Sequence, residues 1–232
     1  MKAVKDRYQY TDDDISVLYH VYKLFLDYIP DDLSPLSILN IGAYGEAFRK
    51  AFAGLQPCSL VEVYFLDPES LGVIDKKFDI IVSAFTLEQT NDLAKVLFLS
   101  NKLLKKDGIF IGSMCTANNF KEFQETLLHH NCLPEEYMYK LPNIEQILKI
   151  IKHLSHSLVN VETIRLYDKT LFDILYKIKR LGLSNFYSGR TRRLQKDLLN
   201  KIVKYYDTQY ADDGYVFCSL ELYIIVFRST IV

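Results

Sequence analysis

An excess of charge of either sign is missing from this chain. Its 28 Lys and Arg residues face 29 Asp and Glu, a net charge of −1, so there is no overall basic field to draw in nucleic acid. Long apolar runs are missing too. None approaches the roughly 20 residues a membrane span needs, and no apolar signal-peptide core follows Met1-Lys2-Ala3-Val4-Lys5-Asp6-Arg7. A cytoplasmic protein is the expectation. Cysteine is sparse: Cys58, Cys115, Cys132 and Cys218 lie far apart and match no metal spacing. Free thiols in a reducing compartment are expected, two of them inside buried strands. His153 and His156 could share a helix face, but no third ligand accompanies them, so no metal site is expected.

What is present is an ordinary globular composition, 49% apolar and 25% charged. The 232 residues suit one good-sized α/β domain. No internal repeat, low-complexity tract or linker divides them. The expectation is a single domain over residues 1–232, with helical additions at about 1–35 and 116–157.

The chain is organised around Ser37-Ile38-Leu39-Asn40-Ile41-Gly42-Ala43-Tyr44-Gly45-Glu46. An apolar run breaks at a glycine pair and enters a helix, the outline of a first strand feeding the first helix of a nucleotide-binding α/β sheet. Glycines in such a turn let the backbone approach a ligand, because a Cβ would fill the ligand's space. Two glycines with Tyr44 between them fit either a ligand cradle or a plain strand-to-helix turn.

Apolar periodicity predicts a helix over 8–29, strands at 37–42 and 60–66, and a helix over 46–54. Phe78-Asp79-Ile80-Ile81-Val82-Ser83-Ala84-Phe85 reads as a buried strand entered from the charged turn Asp75-Lys76-Lys77. A helix over 91–105 is predicted to stop at Lys106-Asp107-Gly108, with the glycine as left-handed cap, before a strand at 109–115. Strand, helix, turn, strand is a βαβ crossover and implies a parallel sheet. Helices near 119–130 and 143–153, a strand near 159–166, a helix near 169–181 ended by Gly182, and a helix near 191–206 follow. Asp212-Asp213-Gly214 reads as a turn into a long last strand, 215–227.

This order of landmarks resembles a class I S-adenosylmethionine-dependent methyltransferase. The match is strongest from Phe78 through Thr86-Leu87-Glu88-Gln89-Thr90-Asn91-Asp92-Leu93, and then from Leu103 to Met114. The C-terminal half, with Tyr167-Asp168-Lys169 and Leu181-Gly182-Leu183-Ser184-Asn185-Phe186-Tyr187-Ser188-Gly189-Arg190, is similar to two relatives. One is the malonyl-acyl-carrier-protein methyltransferase of biotin synthesis. The other is the methyltransferase-like assembly factor of respiratory complex I. The resemblance covers roughly residues 36–228. It implies a Rossmann-like, mostly parallel sheet with an antiparallel C-terminal strand. It also implies S-adenosylmethionine as cofactor and a carrier protein or other protein as partner. The cofactor-binding positions it implies are Asn40, Gly42, Ala43, Gly45, Asp67, Ser83, Ala84 and Phe85. For substrate it implies Tyr187 and Arg190, whose guanidinium fork suits a carboxylate; Arg192 and Arg193 could instead solvate a helix surface. Tyr8 and Tyr10 could belong to a lid or to the core.

The chain departs from that family pattern. Asn40 stands where an acidic residue is usual, and Tyr44 and Glu46 stand where the family's further glycines are. The space between the first strand and Phe78 is short. A helix, strand, helix and strand of average length need about 32 residues before any loop, so one strand–helix unit is expected to be missing or reduced. If the surviving strand is the family's second, Glu62 or Asp67 could hold the ribose; if it is the third, Asp67 would sit near the adenine. Three readings follow: a working methyltransferase, a catalytically silent member that serves a partner or complex assembly, or a different reaction such as hydroxylation on the same fold.

Overall fold

The computed structural model describes residues 12–29, 36–42, 45–54, 59–63, 68–183 and 192–229. The chain opens with helix α1 (Asp12–Leu26), then strand β1 (Ser37–Ile41), α2 (Gly45–Ala51), β2 (Ser59–Val63) and the short α3 (Pro68–Gly72). There follow β3 (Phe78–Ser83), a 3-10 turn (Leu87–Gln89), α4 (Leu93–Leu103) and β4 (Leu104–Cys115). Helices α5 (Lys121–His129), α6 (Pro134–Tyr137) and α7 (Ile144–Ile151) lead to β5 (Leu158–Asp168). The chain ends with α8 (Leu171–Arg180), α9 (Lys196–Gln209), β6 (Ala211–Asp212) and β7 (Tyr215–Arg228).

The strands form one mixed sheet in the order β2-β1-β3-β4-β7-β5, with β6 paired to β7. β2, β1, β3 and β4 run parallel, and β7 is antiparallel to both β4 and β5. Ile38 lies beside Ile80, and Leu39 beside Ile81. The sheet is therefore the expected Rossmann-like one, with its antiparallel C-terminal strand. β1 is buried at all five positions and β3 at five of six, because a parallel strand is covered on both faces and so reads as a continuous apolar run.

Two cores fill the two faces. Leu18, Tyr22 and Phe25 of α1 and Phe48 of α2 pack with Ile38, Ile80 and Val82 on one side. Leu97 of α4 and Ile147 and Ile151 of α7 pack with Leu39, Ile81 and Phe110 on the other. Tyr22, Phe48 and Phe52 meet edge-on or stacked at centroid distances from 4.4 to 6.1 Å, geometries that the ring quadrupole favours.

β2 pairs directly with β1, opposite the β3 edge, so the surviving strand occupies the second position. Among the described residues it is the outermost strand on that side, and only α3 lies between it and β3. Among the described residues, no strand stands beyond β2 where the family's third would lie.

Several predicted boundaries move. α4 ends at Leu103, and Leu104 already has extended φ/ψ. Asp107 takes the left-handed conformation (φ 60°) predicted for Gly108. Gly108 is needed for clearance instead: a Cβ there would lie 3.0 Å from the carbonyl oxygens of Lys105 and Phe78. Gly182 does cap α8, at φ 73°, with Leu183 N–H donating to Ile178 O at 3.1 Å in the Schellman pattern. α9 begins at Lys196 and runs to Gln209, later than predicted at both ends. α7 ends at Ile151, so His153 and His156 lie beyond it and share no helix face. Cys115, Cys132 and Cys218 are free and buried; Cys58 lies outside the described residues. No described helix is long and apolar enough to cross a membrane.

Candidate donor and acceptor site

From β1 the chain crosses to β2 on one side and then returns to β3 on the other. This is the switch point at which an open α/β sheet holds a ligand beyond the carboxyl ends of its strands. Asn40, Gly42, Ser83, Ala84 and Phe85 all lie there. Ala43 and Asp67 are outside the described residues, as are Tyr44, Tyr187, Arg190, Tyr8 and Tyr10.

Asn40 is fully buried. Its Oδ1 accepts from the Tyr22 hydroxyl at 3.0 Å, while its Nδ2 has no partner among the described atoms. It shares the sheet face of Ile38 and Val82, under α1. Burial pushes the Tyr22 hydroxyl pKa upward, so it remains a neutral donor. Ser83, one residue past Val82, points to the opposite face; it too is buried with its Oγ unpartnered. The sheet therefore separates two residues that the sequence reading placed at one site. Phe85 is buried in the left-handed conformation (φ 49°), held by its N–H donating to Ser113 Oγ at 3.2 Å. A bulky residue there stores backbone strain of about 1–3 kcal/mol, which is common at functional sites.

The two glycines make room for protein atoms. Gly42 (φ 139°) donates its N–H to Val63 O at 2.7 Å, and a Cβ on it would lie 2.6 Å from Thr86 Oγ1. A Cβ on Gly45 would fall on the Glu62 carboxylate and within 2.9 Å of Arg49 Nη1. Glu62 sits opposite Asn40 on β2, and Arg49 of α2 pairs with it at 3.0 Å. Of the two acids, Glu62 and Asp67, that the resemblance offers for the ribose when the surviving strand is the second, Glu62 is the one among the described residues.

Sequence reasoning missed Glu88. It lies in the 3-10 turn, 7% exposed, with Oε1 accepting the Cys115 N–H at 2.6 Å and Oε2 unpartnered. Desolvation pushes its carboxyl up to about 7, against the lowering effect of its backbone hydrogen bonds. It links the loop after β3 to the end of β4. One residue beyond Cys115 begins a cavity of about 630 Å³, whose lining includes Thr116, Asn119, Phe120, Tyr137, Ile174 and Cys218. Phe120 is a second bulky residue with left-handed backbone (φ 57°). A lone Glu in a loop carries no periodic signal, so only the tertiary structure reveals its burial. Arg192, one alternative for substrate binding or helix solvation, pairs with Glu136 Oε2 at 3.1 Å, and its N–H donates to Glu136 O at 2.7 Å.

A switch point of this kind, over a sheet of this order, is the fold of Rossmann-like methyltransferases, and the chain resembles class I methyltransferases. The family described as "Methyltransferase domain" matches residues 38–112, from β1 into β4. The mitochondrial arginine-hydroxylase NDUFAF5 of Rattus norvegicus is 23% identical over 167 residues, covering 69% of this chain and 49% of that protein. A malonyl-[acyl-carrier protein] O-methyltransferase of Acetivibrio thermocellus is 25% identical over 184 residues, covering 74% and 64%. The chain thus spans about half the length of the first of these relatives. The solved structure of YcgJ from Bacillus subtilis superposes with TM-score 0.52 at 16% identity, covering 92% of this chain and all of that one, a likeness of fold alone.

S-adenosylmethionine is the cofactor that the resemblance to class I methyltransferases implies. The residues present fit the group. A buried amide donor, Asn40 Nδ2, lacks a partner at the strand end, and a carboxylate, Glu62, stands on the neighbouring strand.

Proposed function

We propose that this protein is a methyltransferase that holds S-adenosylmethionine across the carboxyl ends of β1 and β3. The acceptor is a carboxylate of a carrier-protein-bound or other protein substrate, presented from the cavity at the end of β4. The observation that carries the reading is the unpartnered Nδ2 of Asn40. A buried amide that lacks a hydrogen bond costs about 1–3 kcal/mol, a cost relieved when a ligand acceptor arrives. The donor's sulfonium is already activated for transfer, so the protein need only align the reactants and exclude water. Asn40 supplies a hydrogen-bond donor, Glu62 an acceptor for hydroxyl groups once it leaves Arg49, and the buried Ala84–Phe85 turn a dry wall.

A second reading, a silent fold that serves a partner or complex assembly, is favoured by one observation. The clearance at both glycines is filled, by Thr86 and by Glu62. The test is incubation with S-adenosylmethionine and acyl-carrier protein loaded with dicarboxylic acyl groups, from malonyl to sebacyl, read by intact mass. A methyl-ester adduct on the carrier is expected. Unmodified carrier, with the donor bound, removes the carrier-bound acceptor; unmodified carrier without donor binding leaves the silent reading.

A further inference from the structure

The cavity at the end of β4 has a lining that specifies what it takes. Its buried walls are Phe120, Phe123, Leu171, Ile174, Ile178 and Leu183. Of its polar lining, Thr116, Asn119, Gln124, Asn143 and Gln146 each already hold a hydrogen bond within the protein. Thr116 Oγ1 bonds Glu221 at 2.5 Å, and Asn119 Oδ1 accepts from Glu221 N–H at 3.1 Å. Gln124 Nε2 donates to the carbonyls of Ala117 and Asn119, and Asn143 and Gln146 bond each other in the capping box of α7. The charged lining residues, Glu135 and Lys140, are both exposed and so stand at the mouth. At about 630 Å³ the cavity falls within the roughly 300–1,000 Å³ range of sites for small organic ligands.

We infer that this cavity binds an apolar chain, an aliphatic acyl or alkyl group lying along α8, with its polar end at the Lys140 mouth. The inference rests on the acceptor placement proposed above and narrows it: the body of the acceptor is hydrocarbon, longer than a malonyl group. Recognition comes from burial of apolar surface, since desolvating a charged group against spent hydrogen-bonding partners is unfavourable. A short dicarboxylate has no apolar surface to offer such walls.

The test uses dansyl-labelled undecanoic acid as a fluorescent probe on the whole chain, with 1-decanol and malonate as competitors. Met138 and Leu175 line the cavity and are only half-buried, so Met138→Trp and Leu175→Trp fill it without entering the core. Saturable probe emission is expected, displaced by decanol and not by malonate, and weakened at least tenfold in both variants. An unbound probe, displacement by malonate as effective as by decanol, or equal binding by both variants overturns the inference. S-adenosylmethionine affinity is measured on the same samples. Loss of donor binding with the probe result intact would strike the methyltransferase reading and leave the apolar cavity standing.

Discussion

The hydroxyl of Tyr22, on α1, donates to Asn40 Oδ1 at 3.0 Å across the floor of the switch point. The bond ties the N-terminal helix to the end of β1 and fixes which end of the Asn40 amide is spent. Tyr22→Phe keeps the ring contacts with Phe25, Phe48 and Phe52 but leaves both ends of a buried amide unpaired. The expected loss is about 1–3 kcal/mol of unfolding free energy, read from denaturant midpoints at unchanged slope.

The two glycines respond differently to a methyl group. Gly42→Ala forces a non-glycine residue to φ 139° with its Cβ 2.6 Å from a buried threonine oxygen. The strained backbone alone costs about 1–3 kcal/mol, and the clash with the buried oxygen adds to it. Gly45→Ala meets only the ends of Glu62 and Arg49, and alanine favours the helix by up to about 1 kcal/mol. Thermal unfolding should show a large fall for the first and a shift near zero for the second, while the second alters donor affinity by displacing Glu62.

Glu88 sets a pH dependence. Its carboxyl rises from the usual 4.5 to about 7 on burial, so between those values the folded protein holds a proton that the unfolded chain has lost. The contribution is greatest below the unfolded value and is lost as pH rises through 7, by about 3 kcal/mol in total. Glu88→Gln keeps an oxygen for the Cys115 N–H and cannot ionise. The variant should equal the wild type in acid and exceed it at neutral pH in chemical denaturation. Parallel pH profiles for the two proteins would remove Glu88 from this role.

Much of this was legible in the sequence. The apolar run Phe78–Phe85 is too short for a helix, so β3 was legible from the residues, while its place beside β1 was what the methyltransferase resemblance implied. The short stretch before Phe78 showed that a unit was missing, but only pairing identified β2 as the neighbour of β1. Position within the glycine turn marked Asn40; nothing marked its partner Tyr22, eighteen residues away on another element. Gly108 attracted the left-handed assignment because glycine adopts it freely. Asp107 takes it instead, since the glycine is needed against the Lys105 and Phe78 carbonyls. The opposite orientations of Asn40 and Ser83 follow from strand alternation once both strands are fixed, and before that they are invisible.

Arg49 pairs with Glu62 at 3.0 Å, with the arginine more than half exposed. An exposed pair of this kind is worth about 0–1 kcal/mol, so Arg49→Ala should leave the unfolding midpoint nearly unchanged. Donor affinity should rise, because Glu62 no longer leaves a partner to reach ribose hydroxyls. Equal affinity in wild type and Arg49→Ala would separate Glu62 from the donor site.

Titration calorimetry of the whole chain with S-adenosylmethionine tests the central claim most directly. Saturable one-to-one binding in the micromolar range, weakened by Asn40→Leu, is the predicted result. No heat of binding at millimolar donor would contradict it and leave a methyltransferase fold without its cofactor.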